Sequence, residues 1–107
     1  MVTYSVQIKI RYDLFDEYVA WLKTEHIKEM LAVPGFIEAE LCTRKGGAME
    51  SSSKDVQITY KLQNEEDLKH YLAEYAMPMR EKGLEKFSGQ YSAHREIWLD
   101  TIKFMSN

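Results

Sequence analysis

Four stretches of the chain alternate apolar and polar residues, and this alternation limits the possible folds more than any other feature. The stretches run over about 2–10, 36–44, 55–63 and 90–99. Alternation of this kind indicates a β-strand with one face against a core. Between the first two stretches, and again between the last two, the apolar spacing is that of a helix. The predicted element order is therefore β-α-β-β-α-β.

The first helix is predicted over 14–31, with Asp13 as its N-cap and Pro34-Gly35 ending it. Phe15, Tyr18, Val19, Leu22, His26 and Met30 share its apolar stripe. Trp21 lies off that stripe, where it could pack at the rim of the core or contact another subunit. Ile27 and Leu31 form a second small apolar patch with the same two interpretations.

The second helix is predicted to begin after Asn64, whose side chain suits an N-cap. Pro78 is expected to break or kink it, because proline lacks the backbone donor and crowds the preceding turn. A short helical piece over 78–87 would follow. The segment 45–54 contains two glycines and three serines and is predicted to be a flexible hairpin loop between the second and third strands.

One arrangement satisfies these elements economically. Both helices cover the apolar face of the sheet, and right-handed crossovers place the strands in the order 4-1-3-2. The predicted fold is thus α+β and ferredoxin-like, with a four-stranded antiparallel sheet and two helices on one face. All 107 residues are predicted to form one domain.

Charge and composition argue against several classes of function. The formal net charge is −3 and the pI about 5.6, which supplies no basic face for nucleic acid. No apolar run approaches the roughly 20 residues that a membrane span needs. The N-terminus alternates like a strand rather than a signal peptide, and Cys42, the single cysteine, cannot form an internal disulfide. We therefore expect a cytoplasmic protein that binds neither nucleic acid nor membrane.

Two polar residues are predicted on the helix-covered side of the sheet. His26 lies near the centre of the first helix's stripe, where a buried ring needs a hydrogen-bond partner. It is either a core histidine bound to a tyrosine or a backbone carbonyl, or an acid/base group lining a pocket. Arg95 faces the same layer and needs an anion, for which Glu29 is the nearest candidate. It either extends to the rim or meets an anionic ligand.

Tyrosines and a second arginine are predicted around this pair, and together they suggest a small-molecule cleft between helices and sheet. The candidates are Tyr60, Tyr71, Tyr75 and Arg80. The first hypothesis is a homodimeric protein or small enzyme that binds an anionic or aromatic ligand, in which Arg95 holds a carboxylate or enolate oxygen and His26 moves a proton. Its enzymatic form is a cofactor-independent oxygenase. The second is a non-catalytic structural or regulatory module, with the same residues serving packing alone.

The other sheet face is predicted to be polar. It is either solvated or the surface on which a second copy of the chain docks. Phe36 and Trp98 are assigned to it, and the tail carries Ile102, Phe104 and Met105, all poorly suited to water. A tail of this kind could reach a partner subunit and complete a homodimer.

The polar face carries no recognisable catalytic or cofactor motif. Cys42 and His94 share it, but the predicted strand order puts them on opposite edges, about 14 Å apart, too far for a dyad. The three histidines lack metal-ligand spacing, and Gly46-Gly47 does not join a strand to a helix as a phosphate loop does. No metal and no cofactor is therefore predicted.

Three runs of the sequence resemble a known family: WLKTEHIKEMLAVPGF at 21–36, YAMPMREKGLEKF at 75–87 and SAHREIWL at 92–99. They are similar to an uncharacterised bacterial domain of unknown function within the dimeric α+β barrel superfamily. The matching positions are Trp21, His26, Met30, Leu31, Tyr75, Arg80, Phe87 and Arg95. The resemblance implies homodimers that pair sheet to sheet, often with C-terminal segments reaching the partner. Some such proteins, the antibiotic-biosynthesis-monooxygenase-like group, oxidise aromatic polyketides without a cofactor; others are isomerases or haem-handling proteins.

Overall fold

The computed structural model describes residues 1–45 and 53–106. The strands are β1 (Val2–Arg11), β2 (Phe36–Thr43), β3 (Ser53–Leu62) and β4 (Tyr91–Trp98). They form one antiparallel sheet in the order β2-β3-β1-β4. This is the predicted order read from the opposite edge, so the ferredoxin-like α+β prediction is confirmed. The predicted hairpin loop falls mostly on 46–52, outside the described residues.

The helices lie on one face of the sheet. They are α1 (Phe15–Trp21), α2 (Ile27–Leu31), α3 (Glu65–Glu74) and α4 (Ala76–Phe87). Between helices and sheet lies the core, whose most completely buried large side chains are Tyr4, Ile10, Leu22, Met30, Tyr60 and Leu62. Across the described ranges, no helix combines the length and apolar character that crossing a membrane requires.

The first helical region is not the continuous helix predicted over 14–31. It begins with a 3₁₀ turn (Tyr12–Leu14) and contains a π-helical turn (Leu22–His26) between α1 and α2. The predicted N-cap is also wrong, because the Asp13 carboxylate instead accepts two hydrogen bonds from the Arg11 guanidinium, at 2.6 and 2.8 Å. An ion pair with the preceding strand has replaced the cap.

The second helical region confirms the Asn64 cap, whose Oδ1 accepts a hydrogen bond from the Asp67 backbone N–H at 3.0 Å. The break comes earlier than predicted, at Tyr75 rather than at Pro78. Pro78 lies in the first turn of α4, where backbone N–H groups have no partner within the helix and a missing one costs little.

The start of β2 corrects the prediction for Phe36. The pairing with β3 shifts between Phe36 and Glu38, so Ile37 is an extra residue in this strand. Phe36 consequently packs into the core, with its ring 5.2 Å from that of Tyr71, and Ile37 is 45% exposed. Phe36 therefore does not belong to the polar face.

Candidate functional site

A cavity of about 40 Å³, partly open to solvent, lies between the helices and the sheet. Strands β1, β3 and β4 form its floor, and α1, the π-helical turn and the helices α3 and α4 contribute its roof. Three of its lining residues carry or can carry positive charge: His26, Arg80 and Arg95. Five tyrosines also line it: Tyr4, Tyr18, Tyr60, Tyr71 and Tyr91.

His26 is held in place by the π-helical turn. Its ring stacks on Trp21, with centroids 4.6 Å apart and planes 17° from parallel. In an α-helix, side chains five residues apart point about 140° away from each other. The wider π-helical turn brings them back onto the same side, and this is why Trp21, which helical spacing placed off the apolar stripe, is buried in the core.

The imidazole of His26 is neutral in this environment. Burial lowers its pKa below the ordinary value, Glu29 opposes that shift, and the positive charges of Lys82 and Arg95 add to it. Its Nδ1 is buried and has no hydrogen-bond partner within the described part of the chain. The predicted tyrosine or carbonyl partner for this nitrogen is therefore not found among those residues.

Arg80 reaches the cavity from α4. Its Nη2 donates a hydrogen bond to the Tyr4 hydroxyl at 3.2 Å. Its Nε is buried and, like His26 Nδ1, lacks a partner among residues 1–45 and 53–106. A buried guanidinium N–H without an acceptor is costly, so this atom marks a place where an acceptor would be stabilised.

Arg95 lines the cavity and lies at the end of an apolar row of residues that crosses the sheet. It lies opposite Val6 on β1, which in turn lies opposite Ile58 on β3, all on the helix-covered face. The predicted partner Glu29 forms its ion pair with Lys82 of α4 instead. In the described ranges, neither cavity arginine has a carboxylate partner, and no Asp or Glu lines the cavity.

Four of the five tyrosines that line the cavity have pKa values above the ordinary value. Burial is the main cause that raises the pKa values of Tyr18, Tyr60, Tyr71 and Tyr91. Tyr4 and Tyr71 pack with ring centroids 5.6 Å apart, next to the Arg80 guanidinium that binds the Tyr4 hydroxyl. The cavity thus offers cations and neutral hydroxyl groups in an aromatic wall.

Gly83 allows Tyr91 to reach this layer. A Cβ at this position of α4 would lie 2.7 Å from the Tyr91 hydroxyl and 3.4 Å from Trp21 Cη2. Glycine is a poor helix former, but here the absent side chain leaves room for the phenol.

Five of the six predicted site residues come together in the cavity: His26, Tyr60, Tyr71, Arg80 and Arg95. The sixth, Tyr75, is not among the lining residues, and its ring packs against that of His70 at 5.5 Å. Sequence reasoning missed Tyr4 and Tyr91 as site residues, although strand alternation had placed both on the correct face. Nothing in the sequence pattern revealed Trp21, because its position depends on the π-helical turn.

The polar face holds a separate hollow of about 380 Å³. Cys42, Gln57, Gln7 and His94 form one row across all four strands, which confirms that Cys42 and His94 lie on opposite edges. Asp55 lies in this hollow; its slight burial would raise its pKa, but hydrogen bonds from Arg44 and Lys9 lower it overall. Among the described residues, no three His, Cys, Asp or Glu side chains cluster as a metal site would need.

The tail after β4 turns back over the start of β1. The Thr101 backbone N–H donates to the Met1 carbonyl at 2.8 Å, and the Thr101 and Thr3 hydroxyls lie 2.6 Å apart. Beyond this anchor, Ile102, Phe104 and Met105 are 72%, 89% and 78% exposed. Trp98, which lies opposite Thr3 on the polar face, is 56% exposed.

The fold and the cavity define a ferredoxin-like α+β protein with a cationic, aromatic-walled cavity under its helices. Residues 1–102 match the family described as a domain of unknown function, DUF4286, and the chain belongs to that family. No protein of curated function matches the sequence.

Solved structures share the fold at low identity. A dimeric ferredoxin-like protein from an uncultured marine organism matches with a TM-score of 0.69 and 13% identity, covering 99% of this chain and 100% of that one. SnoaB, a cofactor-independent oxygenase from Streptomyces nogalater, gives 0.66 and 11%, covering 98% of each. A putative antibiotic biosynthesis monooxygenase from Bacillus cereus gives 0.63 and 14%, covering 97% of each. At these identities the likeness extends to the fold alone.

Proposed function

We propose that this protein binds a small anionic ligand in the cavity beneath its helices, with Arg80 and Arg95 holding a carboxylate or enolate oxygen. The observation that carries the proposal is the pair of guanidinium groups, which line one cavity without a carboxylate partner in the described ranges. Both arginines are half-buried, and a cation that is partly removed from water is less favourable without a counter-ion than with one. An anion in the cavity would supply the missing charge, and it would also give Arg80 Nε an acceptor.

The volume of the cavity limits what can enter. An engineered protein cavity of about 150 Å³ takes one benzene ring. The present cavity of about 40 Å³ is close to the size of one carboxylate group, and an aromatic ring would require side chains to move. Size therefore favours a small carboxylate, or the carboxylate end of a longer molecule, over an aromatic ligand.

A second candidate is a cofactor-independent oxygenase. It is favoured by the neutral imidazole of His26, which can accept a proton from an enol or phenol while the arginines stabilise the resulting anion. SnoaB, which shares this fold, is described as such an oxygenase. This activity would require the cavity to open around an aromatic substrate. If no ligand enters at all, the chain is the non-catalytic module that the sequence left as its alternative.

The partner that fits the polar face is a second copy of this chain. Half-exposed Trp98 and the apolar tail lie beside that face, where burial against a partner would remove them from water. Two of the solved structures are of proteins described as dimeric and ferredoxin-like. We place such a homodimer in the cytoplasm, in agreement with the single unpaired cysteine.

The proposed binding is tested by titrating ¹⁵N-labelled protein with acetate and with benzoate and following backbone amide shifts. We expect acetate to shift signals of cavity residues, and both Arg80→Met and Arg95→Met to abolish those shifts. Arg44→Met is the matched control, because Arg44 pairs with Asp55 on the opposite face and should leave binding unchanged. Shifts that persist in both cavity variants, or that vanish in the control, would contradict the proposal.

A further inference from the structure

We propose that an anion entering this cavity brings one proton with it, which binds at His26, so that ligand affinity depends on pH. The inference rests on the proposed anion site and adds a means of regulating it. A carboxylate has two acceptor oxygens. One would accept from Arg80 Nε, and the other from His26 once Nδ1 carries a proton.

Geometry supplies the first argument. His26 Nδ1 and Arg80 Nε are both buried, both line the same cavity, and neither has a partner within the described residues. A neutral imidazole fills only one of its two nitrogens with hydrogen, whereas the imidazolium presents a donor at each. The neutral ring donates from Nδ1 in one tautomer alone, whereas the imidazolium always presents that donor and adds a positive charge beside the carboxylate.

The charges that face His26 supply the second argument. Glu29 of α2 is the acidic group near it, and its carboxylate is already paired with Lys82 of α4. Arg80 of α4 and Arg95 of β4 face the same cavity. The remaining titratable groups are hydroxyls from each neighbouring element: Tyr4 of β1, Tyr18 of α1, Tyr60 of β3, Tyr71 of α3 and Tyr91 of β4.

These surroundings disfavour the imidazolium while the cavity holds no anion, in agreement with the lowered pKa of His26. An anion a few ångströms away reverses the balance, since an opposite charge favours the charged form of a titratable group. By linkage, a ligand that raises the pKa of His26 must bind more tightly to the protonated protein. Affinity should be greatest at low pH and fall by up to tenfold for each pH unit between the pKa values of the unbound and bound states.

The experiment follows the three histidine imidazoles by NMR while acetate is added at several pH values between about 5.5 and 8, where a carboxylic acid is mostly ionised. We expect the Kd of acetate to increase with pH and the titration midpoint of His26 to rise at saturation. His26→Gln should bind acetate with a Kd that no longer follows pH. His70→Gln, which changes a histidine outside the cavity, should retain the wild-type dependence.

Each of the two remaining outcomes rejects all or part of the proposal. If acetate shifts the cavity signals with a pH-independent Kd and an unmoved His26 midpoint, the proton linkage is overturned and the anion site stands. If acetate shifts no cavity signal at any pH, the anion site and the linkage both fall. The wild-type titration alone distinguishes these results, so the test does not depend on the folding of His26→Gln.

Discussion

At the scale of single residues, the cavity stands out because two of its buried nitrogens have no hydrogen-bond partner among the residues that the structure describes. His26 Nδ1 and Arg80 Nε line the cavity beside the apolar and aromatic side chains of the core. Leaving a buried polar atom unpaired costs about 1–3 kcal/mol. A module built for packing alone would be more stable with apolar side chains at both positions, which supports the binding role proposed for the two residues.

The pH dependence of stability should report the burial of His26. Because burial lowers its pKa in the folded protein, the unfolded chain takes up a proton that the folded chain does not. The stability that the neutral His26 contributes is fully present above its pKa in the unfolded chain, about 6.5. It is lost as the pH falls to its lower pKa in the folded protein. We expect urea denaturation to show wild type losing more stability than His26→Gln between pH 7.5 and 5, with His70→Gln behaving as wild type. Equal losses in wild type and His26→Gln would contradict this.

Arg80→Met should separate binding from packing. The change removes a guanidinium that lacks a carboxylate partner among the described residues and keeps much of its length, so it also removes an unpaired buried N–H. Replacing buried charge by apolar groups of similar volume is often neutral or stabilising. We expect the free energy of unfolding, measured with urea, to stay within about 1 kcal/mol of wild type or to increase. A loss above about 3 kcal/mol would assign Arg80 to structure instead.

At the scale of elements, single-residue irregularities position the site. The π-helical turn brings His26 and Trp21 together, and the extra residue at the start of β2 turns Phe36 inward against Tyr71. The turn before β2 is equally constrained. The Gly35 carbonyl accepts a hydrogen bond from the Gln63 backbone N–H at 3.0 Å, which ties this turn to the end of β3.

Gly35→Ala should be one of the more destabilising single substitutions. Gly35 has φ +92°, and a Cβ there would lie 2.3 Å from Asp67 Cβ in the first turn of α3. Strain and overpacking together should cost about 2–4 kcal/mol. Gly89→Ala is the matched control, since its φ is +71° but no atom lies within 4 Å of the added Cβ. We expect it to lose about 1 kcal/mol in urea denaturation; equal losses would show that the contact with Asp67 is unimportant.

At the scale of the whole molecule, the two sheet faces have different tasks. The helix-covered face holds the core and the cavity, whereas the other face holds charged and polar rows bordered by Trp98 and the apolar tail. Docking a second copy on the polar face would cover those apolar groups and leave the cavity beneath the helices untouched. The proposed ligand binding and the proposed dimerisation would thus be separable.

Trp98→Asp tests the dimer. We expect sedimentation to give twice the monomer mass for wild type and the monomer mass for Trp98→Asp, because the substitution puts a charge where an apolar contact is proposed. Leu84→Asp is the control: Leu84 is 50% exposed, similar to the 56% of Trp98, but lies on α4 on the helical side. A wild-type monomer at every concentration would overturn the dimer, and dissociation of Leu84→Asp would place the interface on the helices.

The sequence by itself determined the order of the elements, the strand order of the sheet and the face on which most strand residues lie. It also brought five of the six predicted residues to one cavity, because strand alternation and helical spacing report the direction of a side chain relative to its own element. Those rules fail where a strand or a helical turn contains an extra residue. The π-helical turn therefore buries Trp21, which helical spacing had placed off the apolar stripe, and the irregularity in β2 overturns the predicted face of Phe36.

Only the tertiary structure decided which groups meet across elements. Because α4 packs next to α2, Glu29 forms an ion pair with Lys82 rather than with Arg95. At the break between α3 and α4, the Tyr75 ring packs against His70. The size of the cavity depends on how rings from separate elements pack, including Tyr91 against Gly83. No local pattern encodes such distances, because they arise from the simultaneous packing of segments that are far apart in the chain.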